Sequence, residues 1–481
     1  MPGPLGSSRG FWSGGRQGVT STTVYDVVII GGGPGGYAAG LYAHNFGLSV
    51  ALVEKAEVGG TCLHRGCIPA KAWLQTAEVF STVAGSGEFG VDASPPSLDW
   101  TTALRRKGKV VDQLHRGLSG LLKKRNVEIV AGTGRIAGRG IVDVELVEGG
   151  TRRLEGRTVI VATGSVPRTI PGYEIDGTRI VTSDHALDWA EQPGRVAVIG
   201  AGAIGCEFAS LLADVGSTVY LFEVVDQILP GADTTSAKQL EQALARRGVA
   251  VHTGVGVEPA AVGDDGVTVG YGTESVEVDV VLVAVGRAPL TSGVGLEEAG
   301  IELDRGFVPV DLETMETSVQ GVYAVGDVVA GTPQLAHAGF AEAIAAVTHI
   351  ATGSTAPVNY LAVPLVVYTH PELASVGLTE AQAREAGMEV EVVEEGFAGI
   401  ARAMIRGATQ GSVRLVVEKG GPLVGATIVG ADAGELIHEL MYSIGWEALP
   451  EEAAAFIHAH PTLAETIGEA LMAASGRGLH A

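Results

Sequence analysis

Residues Tyr25–Gly36 read YDVVIIGGGPGG. The apolar run Tyr25–Ile30 suits a buried parallel strand, and Gly31, Gly33 and Gly36 follow it at the spacing of a dinucleotide-binding turn. Glycine permits the tight turn and lets a pyrophosphate approach the N-terminus of the next helix, where free amides and the helix dipole favour anionic charge. An acidic residue, Glu54, ends the next apolar run, VALVE, and suits the hydroxyls of a ribose. A strand, a helix and a second strand ending in a carboxylate are therefore expected.

The pattern occurs twice. RVAVIG leads into Gly200, Gly202 and Gly205, and TVYLFE ends at Glu223; each glutamate lies 23 positions after its first glycine, from 31 to 54 and from 200 to 223. At Glu223 a 2′-phosphate would face a carboxylate, and FEVVDQ holds no arginine, so the second unit is expected to prefer NAD over NADP. The segments TVIVATGSVPR (Thr158–Arg168) and VVLVAVGRAPL (Val280–Leu290) extend the repeat. From first glycine to strand-end glycine the first unit takes 133 residues (31 to 164) and the second 86 (200 to 286), so the first carries an insertion. GVYAVGDVV, Gly321–Val329, is a further short buried strand that places Asp327 at its end. From about Pro357 the runs LVVYTH, VRLVVEK and VGATIVG, followed by helical ELIHELMYSI, predict an antiparallel sheet with helices.

The expected fold is therefore α/β, with two Rossmann-like dinucleotide-binding domains and a C-terminal α+β domain. Its boundaries are 24–165 for the first unit with its insertion, 166–287 for the second, 288–356 for the return to the first and 357–481 for the last. Residues 1–23, rich in Gly and Ser, are expected to be a disordered leader or an expression remnant. With 481 residues and 46% hydrophobic side chains the chain is long enough for three folding units. Its formal charge of −23 opposes nucleic acid and anionic membranes as partners. The uncharged stretch Val27–Ala43 is too rich in glycine to read as a membrane span. Three cysteines do not make a secreted disulfide scaffold, so a reducing cytoplasm is the expected compartment.

Two of those cysteines, Cys62 and Cys67, lie in the insertion, in GGTCLHRGCIPAK. A structural bridge, metal ligation and redox-active thiols are the three uses open to them. Zinc needs more ligands, and no second cysteine pair follows, so no metal is expected. Gly66 allows a sharp turn and IPAKAWLQTAEVF reads as a helix, whose N-terminus would stabilise a thiolate. Cys206 falls within the helix of the second unit and reads as a small buried residue. Near the end, in IHAHPTLAE, the proline keeps His460 out of a helix and Glu465 follows within a turn. His458 with His460 lacks a third ligand and reads as structural.

In order, GGGPGG, GGTCLHRGCIPAKA, ATG, GAGAIGCEFA, AVGRAP, VYAVGDV, YTHPELASVGLTE, GADAGELI and HAHPTLAE give a chain that, from about Tyr25 onward, resembles the flavin-dependent pyridine nucleotide disulfide oxidoreductases, and most closely their dihydrolipoamide-oxidising branch. The resemblance implies FAD in the first unit, with Glu54 on its ribose and Asp327 on the ribityl chain, and NAD in the second. Thr163, Gly164, Ala336 and Gly286 would add cofactor contacts. Cys62 and Cys67 would form the redox disulfide, Cys62 facing substrate and Cys67 facing the flavin. Lys71 would sit near the flavin and pair with Glu207. His460 and Glu465 would be the acid–base pair, serving the partner subunit of a homodimer, and the protein partners would be the lipoyl domains of 2-oxoacid dehydrogenase or glycine-cleavage complexes. His64, Arg65, Ala70 and Leu290 depart from the family's commoner residues. A reductase for another small disulfide, or a structural or redox-sensing flavoprotein, are the competing readings.

Overall fold

The computed structural model describes residues 24–480, so the expected leader lies outside the described residues. Strand Val24–Ile30 sits at the centre of the first sheet, parallel to Val50–Glu54 on one side and to Thr151–Val161 on the other. Glu128–Gly138 and Val322–Ala324 extend the sheet on either flank. Val27, Val28, Ile29 and Leu52 are fully buried, as a strand covered on both faces requires. The halves of Glu128–Gly138 and Thr151–Val161 that run past the sheet pair with Ile141–Leu146 as an antiparallel meander. The five-stranded second sheet is parallel throughout, in the order Ala250–His252, Thr218–Phe222, Arg195–Ile199, Val280–Val283, Ile180–Thr182. It too carries a three-stranded antiparallel meander, over residues 261–278.

The two glycine turns superpose in detail. Gly31 and Gly200 have φ of 105° and 97°, a left-handed region that favours glycine. Gly33 and Gly202 cap the next helices with φ and ψ near −70° and −173° in both. A Cβ on Gly36 would stand 1.8 Å from the Gly31 carbonyl oxygen, and one on Gly205 1.9 Å from that of Gly200. The third glycine is thus required by the packing of helix on strand, whereas a Cβ on Gly202 would meet nothing within 4 Å.

The repeated strand ends meet. Ser165–Pro167 and Arg287–Pro289, equivalent positions in the two units, pair as a small antiparallel ribbon where the chain passes between them. The insertion folds as helices Gly60–Arg65, Cys67–Ala84 and Trp100–Lys124. Trp73 stacks on Trp100 at 4.2 Å, and their indole N–H groups donate to the carbonyls of Leu187 and Trp189, which fastens the insertion to the second unit. The last domain is a five-stranded antiparallel sheet whose core is covered by helices Ala433–Gly445 and Glu465–Ala474. Among the described residues no helix is long and apolar enough to cross a membrane.

Gly205→Ala is expected to cost about 1–3 kcal/mol of stability in urea denaturation, because the helix must move off its strand. Gly202→Ala, into open space, is expected to stay within about 0.5 kcal/mol of the parent; equal losses in both would contradict this assignment.

Candidate active site

Each nucleotide unit ends its second strand in a carboxylate that holds the glycine turn. Glu54 accepts from the amides of Gly32 (2.7 Å) and Ala56 (2.8 Å), and Glu223 from those of Ala201 (2.8 Å) and Val225 (3.2 Å). Each carboxylate oxygen keeps a further lone pair for a ribose hydroxyl. Helices Pro34–Ala43 and Ala203–Asp214 have no side-chain cap and no acidic residue in their first turns. Their free amides therefore suit the pyrophosphates of FAD and NAD.

Around the first turn further groups fit a flavin nucleotide. The Thr163 hydroxyl is buried without a hydrogen-bond partner, beside Gly164 at φ 75°. Asp327 is held by the Ser165 hydroxyl, which donates to it at 2.6 Å and accepts from Arg287 Nε at 2.7 Å. Gly326 donates its amide to the fully buried Glu342, to which Tyr360 also donates at 3.1 Å. Burial pushes the Glu342 carboxyl up, while the Gly326 amide and the Tyr360 hydroxyl oppose this. Ala336 opens a 17-residue helix that has no side-chain cap. Gly286, at φ 102°, has open space around it at the matching strand end of the second unit.

Gly60, which begins the cysteine segment, packs its backbone on Gly33, so the cysteines follow directly from the first nucleotide turn. Gly66, at φ −144° and ψ −118°, breaks the helix between them: Cys62 lies within Gly60–Arg65 and Cys67 is the first residue of Cys67–Ala84. Both are free thiols, Cys62 half-buried and Cys67 exposed. The interaction between the two thiols sets their difference. It holds the Cys67 thiol down at about 7, helped by the Lys71 charge against the cost of desolvation, and together with burial it pushes Cys62 up. These surroundings favour the thiolate at Cys67 and the proton at Cys62 when the pair is reduced.

Lys71, one turn further along, donates to both Glu207 oxygens at 2.8 and 2.9 Å. Burial alone would lower its pKa, but the Glu207 charge overrides this and the net shift is upward. The Tyr368 amide donates to the same carboxylate at 3.1 Å, and the Lys71 ammonium lies 4.6 Å from the Tyr368 ring centroid.

His460 and Glu465 lie in the last domain, beside the strands Val390–Gly396 and Ser412–Glu418. The Thr462 amide and His460 hold the Glu465 carboxyl below its usual range, so it is an acceptor, and His460 Nδ1–H donates to it at 2.8 Å. The imidazole thereby presents Nε2 outward on a side chain 73% exposed. His458 pairs instead with Glu439 at 2.7 Å and is raised by that bond. Cys206 is fully buried, its thiol donating to the Ala201 carbonyl at 3.3 Å.

Ser165, Arg287, Glu342 and Tyr368 were not singled out from sequence. Ser165 and Arg287 carried a signal, since each follows the strand-end glycine of its repeat, and Tyr368 opens the motif YTHPELASVGLTE; Glu342 carried none, because Gly326 and Tyr360 reach it only through tertiary packing.

The pyridine nucleotide-disulphide oxidoreductase family matches residues 25–343, and the dimerisation domain of that family matches residues 363–471. The dihydrolipoyl dehydrogenase of Bacillus subtilis is 39% identical, over 95% of this chain and 99% of the relative. The mitochondrial dihydrolipoyl dehydrogenase of Pisum sativum is also 39% identical, over 98% and 94%. Among solved structures, LpdA from Mycobacterium tuberculosis matches at a TM-score of 0.87 and 27% identity, over 93% of this chain and 99% of that one. The HOCl-induced flavoprotein disulfide reductase RclA of Escherichia coli matches at 0.82 and 28%, over the same shares. On this evidence the chain belongs to the pyridine nucleotide-disulphide oxidoreductase family.

Proposed function

We propose that the protein is a homodimeric enzyme that oxidises dihydrolipoamide and reduces NAD⁺, working on lipoyl domains of 2-oxoacid dehydrogenase or glycine-cleavage complexes. The observation that carries this is the unequal pair: Cys67 at a helix N-terminus beside Lys71, and Cys62 one short helix away. Lipoyl domains as partners rest on the likeness to the dihydrolipoyl dehydrogenases. The small number of cysteines supports a reducing compartment such as the cytoplasm.

His460 Nε2 removes a proton from one substrate thiol, and the thiolate attacks Cys62 of the oxidised pair. The Cys62–Cys67 bond breaks, Cys67 leaves as a thiolate held by the helix N-terminus and Lys71, and a mixed disulfide joins substrate to Cys62. The second substrate thiol then attacks that bond and its proton passes to the departing Cys62 sulfur, so that oxidised lipoamide is released while the first proton stays on His460 until it is given up to solvent. Two electrons now reside on the protein as a Cys62 thiol and a Cys67 thiolate. FAD, when bound, would supply the two-electron relay from that pair to NAD⁺. Glu54, Asp327, Thr163, Gly164 and Ala336 would hold the flavin nucleotide, and Glu223 with the Gly200–Gly205 turn and Gly286 the nicotinamide one. At Glu223 the carboxylate already serves two amides, which favours a ribose hydroxyl over a phosphate.

His460 belongs to a different packing unit from the cysteine helices, which lie against Trp100–Lys124 and Ala203–Asp214. Nearby Phe456 is 77% exposed and Ile457 99%, an apolar surface that a second copy of the chain would cover, bringing His460 to the partner's cysteines.

His460→Gln is expected to lower dihydrolipoamide turnover by about 10²–10⁴-fold with flavin content unchanged; loss of flavin instead would make the residue structural. Cys62→Ser is expected to abolish that turnover, and an unchanged rate would contradict the disulfide route. Because Cys67 is lowered, its thiolate persists below the ordinary thiol range and is lost as pH falls through about 7. Alkylation of the reduced enzyme by iodoacetamide, mapped by mass spectrometry, is therefore expected to slow at Cys67 by about tenfold between pH 8 and pH 6. A midpoint near 8.5 would contradict the assignment.

A further inference from the structure

His64, which differs from the commoner residue of the family it resembles, lies two positions after Cys62 on helix Gly60–Arg65. At about 100° per residue its side chain leaves the helix on the side away from the Cys62 sulfur. There it meets His115 of the long helix Trp100–Lys124, the two rings edge-on with centroids 5.2 Å apart. Both rings share one backbone acceptor: His64 Nε2 lies 3.0 Å and His115 Nδ1 3.2 Å from the Val58 carbonyl oxygen. A carbonyl only accepts, so each neutral ring carries its proton on that nitrogen, leaving His64 Nδ1 and His115 Nε2 with lone pairs. His115 Nε2 has Ser119 Oγ at 3.5 Å. Glu57 Oε2 stands 3.5 Å from His64 Nδ1, on an exposed side chain. One ligand atom from each of Glu57, His64 and His115 lies within 4.8 Å of the other two.

Two imidazoles with tautomers fixed by a backbone carbonyl, beside a carboxylate, form a metal-ligand set with its outer support in place. We propose that Glu57, His64 and His115 bind one divalent first-row metal of the zinc class, with water completing the coordination. Bond lengths of about 2.0–2.1 Å bring tetrahedral ligand atoms to about 3.4 Å from one another, a closure within reach of side-chain rotation, chiefly of exposed Glu57. The metal lies on the opposite side of the helix from the Cys62 sulfur and does not take part in the disulfide chemistry. It ties the loop after Val50–Glu54, the Cys62 helix and the long helix together, and so acts on the reaction only by fixing where Cys62 stands.

Zinc is the probe of choice, being redox-inert. Calorimetric titration of the FAD-loaded protein with Zn²⁺, its cysteines kept as the disulfide so that no thiol competes, is expected to show one saturable site per chain. His64→Asn and His115→Gln should each weaken that site by about tenfold or more. Glu57→Gln, on the surface and harmless to folding, should do the same and serves as the test if a histidine variant loses its flavin. No saturable binding, or binding that Glu57→Gln leaves unchanged, would overturn the proposal.

Discussion

Three parts of the molecule meet at one carboxylate. Glu207 belongs to the helix of the second nucleotide unit, is 7% exposed, and accepts both from Lys71 of the cysteine helix and from the Tyr368 amide of the last domain. Its charge is offset by an ammonium and a peptide dipole, and leaving a buried charge unpaired typically costs about 3 kcal/mol or more. The same contact fixes Lys71 one turn below Cys67, so the junction that joins the domains also supplies the positive charge that a leaving thiolate needs. Stability and chemistry thus depend on the same ion pair.

The asymmetry of the cysteines follows from backbone construction. Gly66 interrupts what would otherwise be one helix, so that Cys67 begins a new one and receives its dipole while Cys62 stays in the short helix before it. A continuous helix would give the two sulfurs similar surroundings. In the reduced pair the interaction between the two thiols, with the Lys71 charge, lowers Cys67, and the same interaction, with burial, raises Cys62.

Much of this could be read from the chain because it is local. Strand, glycine turn and terminal carboxylate fall within about thirty residues in each unit, and steric limits on Gly31, Gly36, Gly200 and Gly205 leave their mark on residue type. The antiparallel character of the last domain was also legible in its apolar runs. The meanders over 128–161 and 261–278 were not, because their strands are short or run on from parallel ones. Nor was the Arg287–Ser165–Asp327 relay, in which Ser165 lies more than 100 residues from each of its two partners. His64 was visible only as an oddity; its partners, Glu57 and His115, come together through the packing of the insertion's helices, which leaves no spacing in the sequence. Roles were read from motifs, while the couplings between them needed the tertiary arrangement.

The central claim is that each reaction centre joins the cysteines of one chain to the His460–Glu465 pair of another. Mixing unfolded Cys62→Ser and His460→Gln chains, each inactive alone, and refolding them with FAD tests this directly. If the site is shared between subunits, mixed dimers contain one whole site, and random pairing restores about a quarter of the parent dihydrolipoamide turnover. If His460 serves the cysteines of its own chain, every site in the mixture carries a defect, and the mixture stays as inactive as its components.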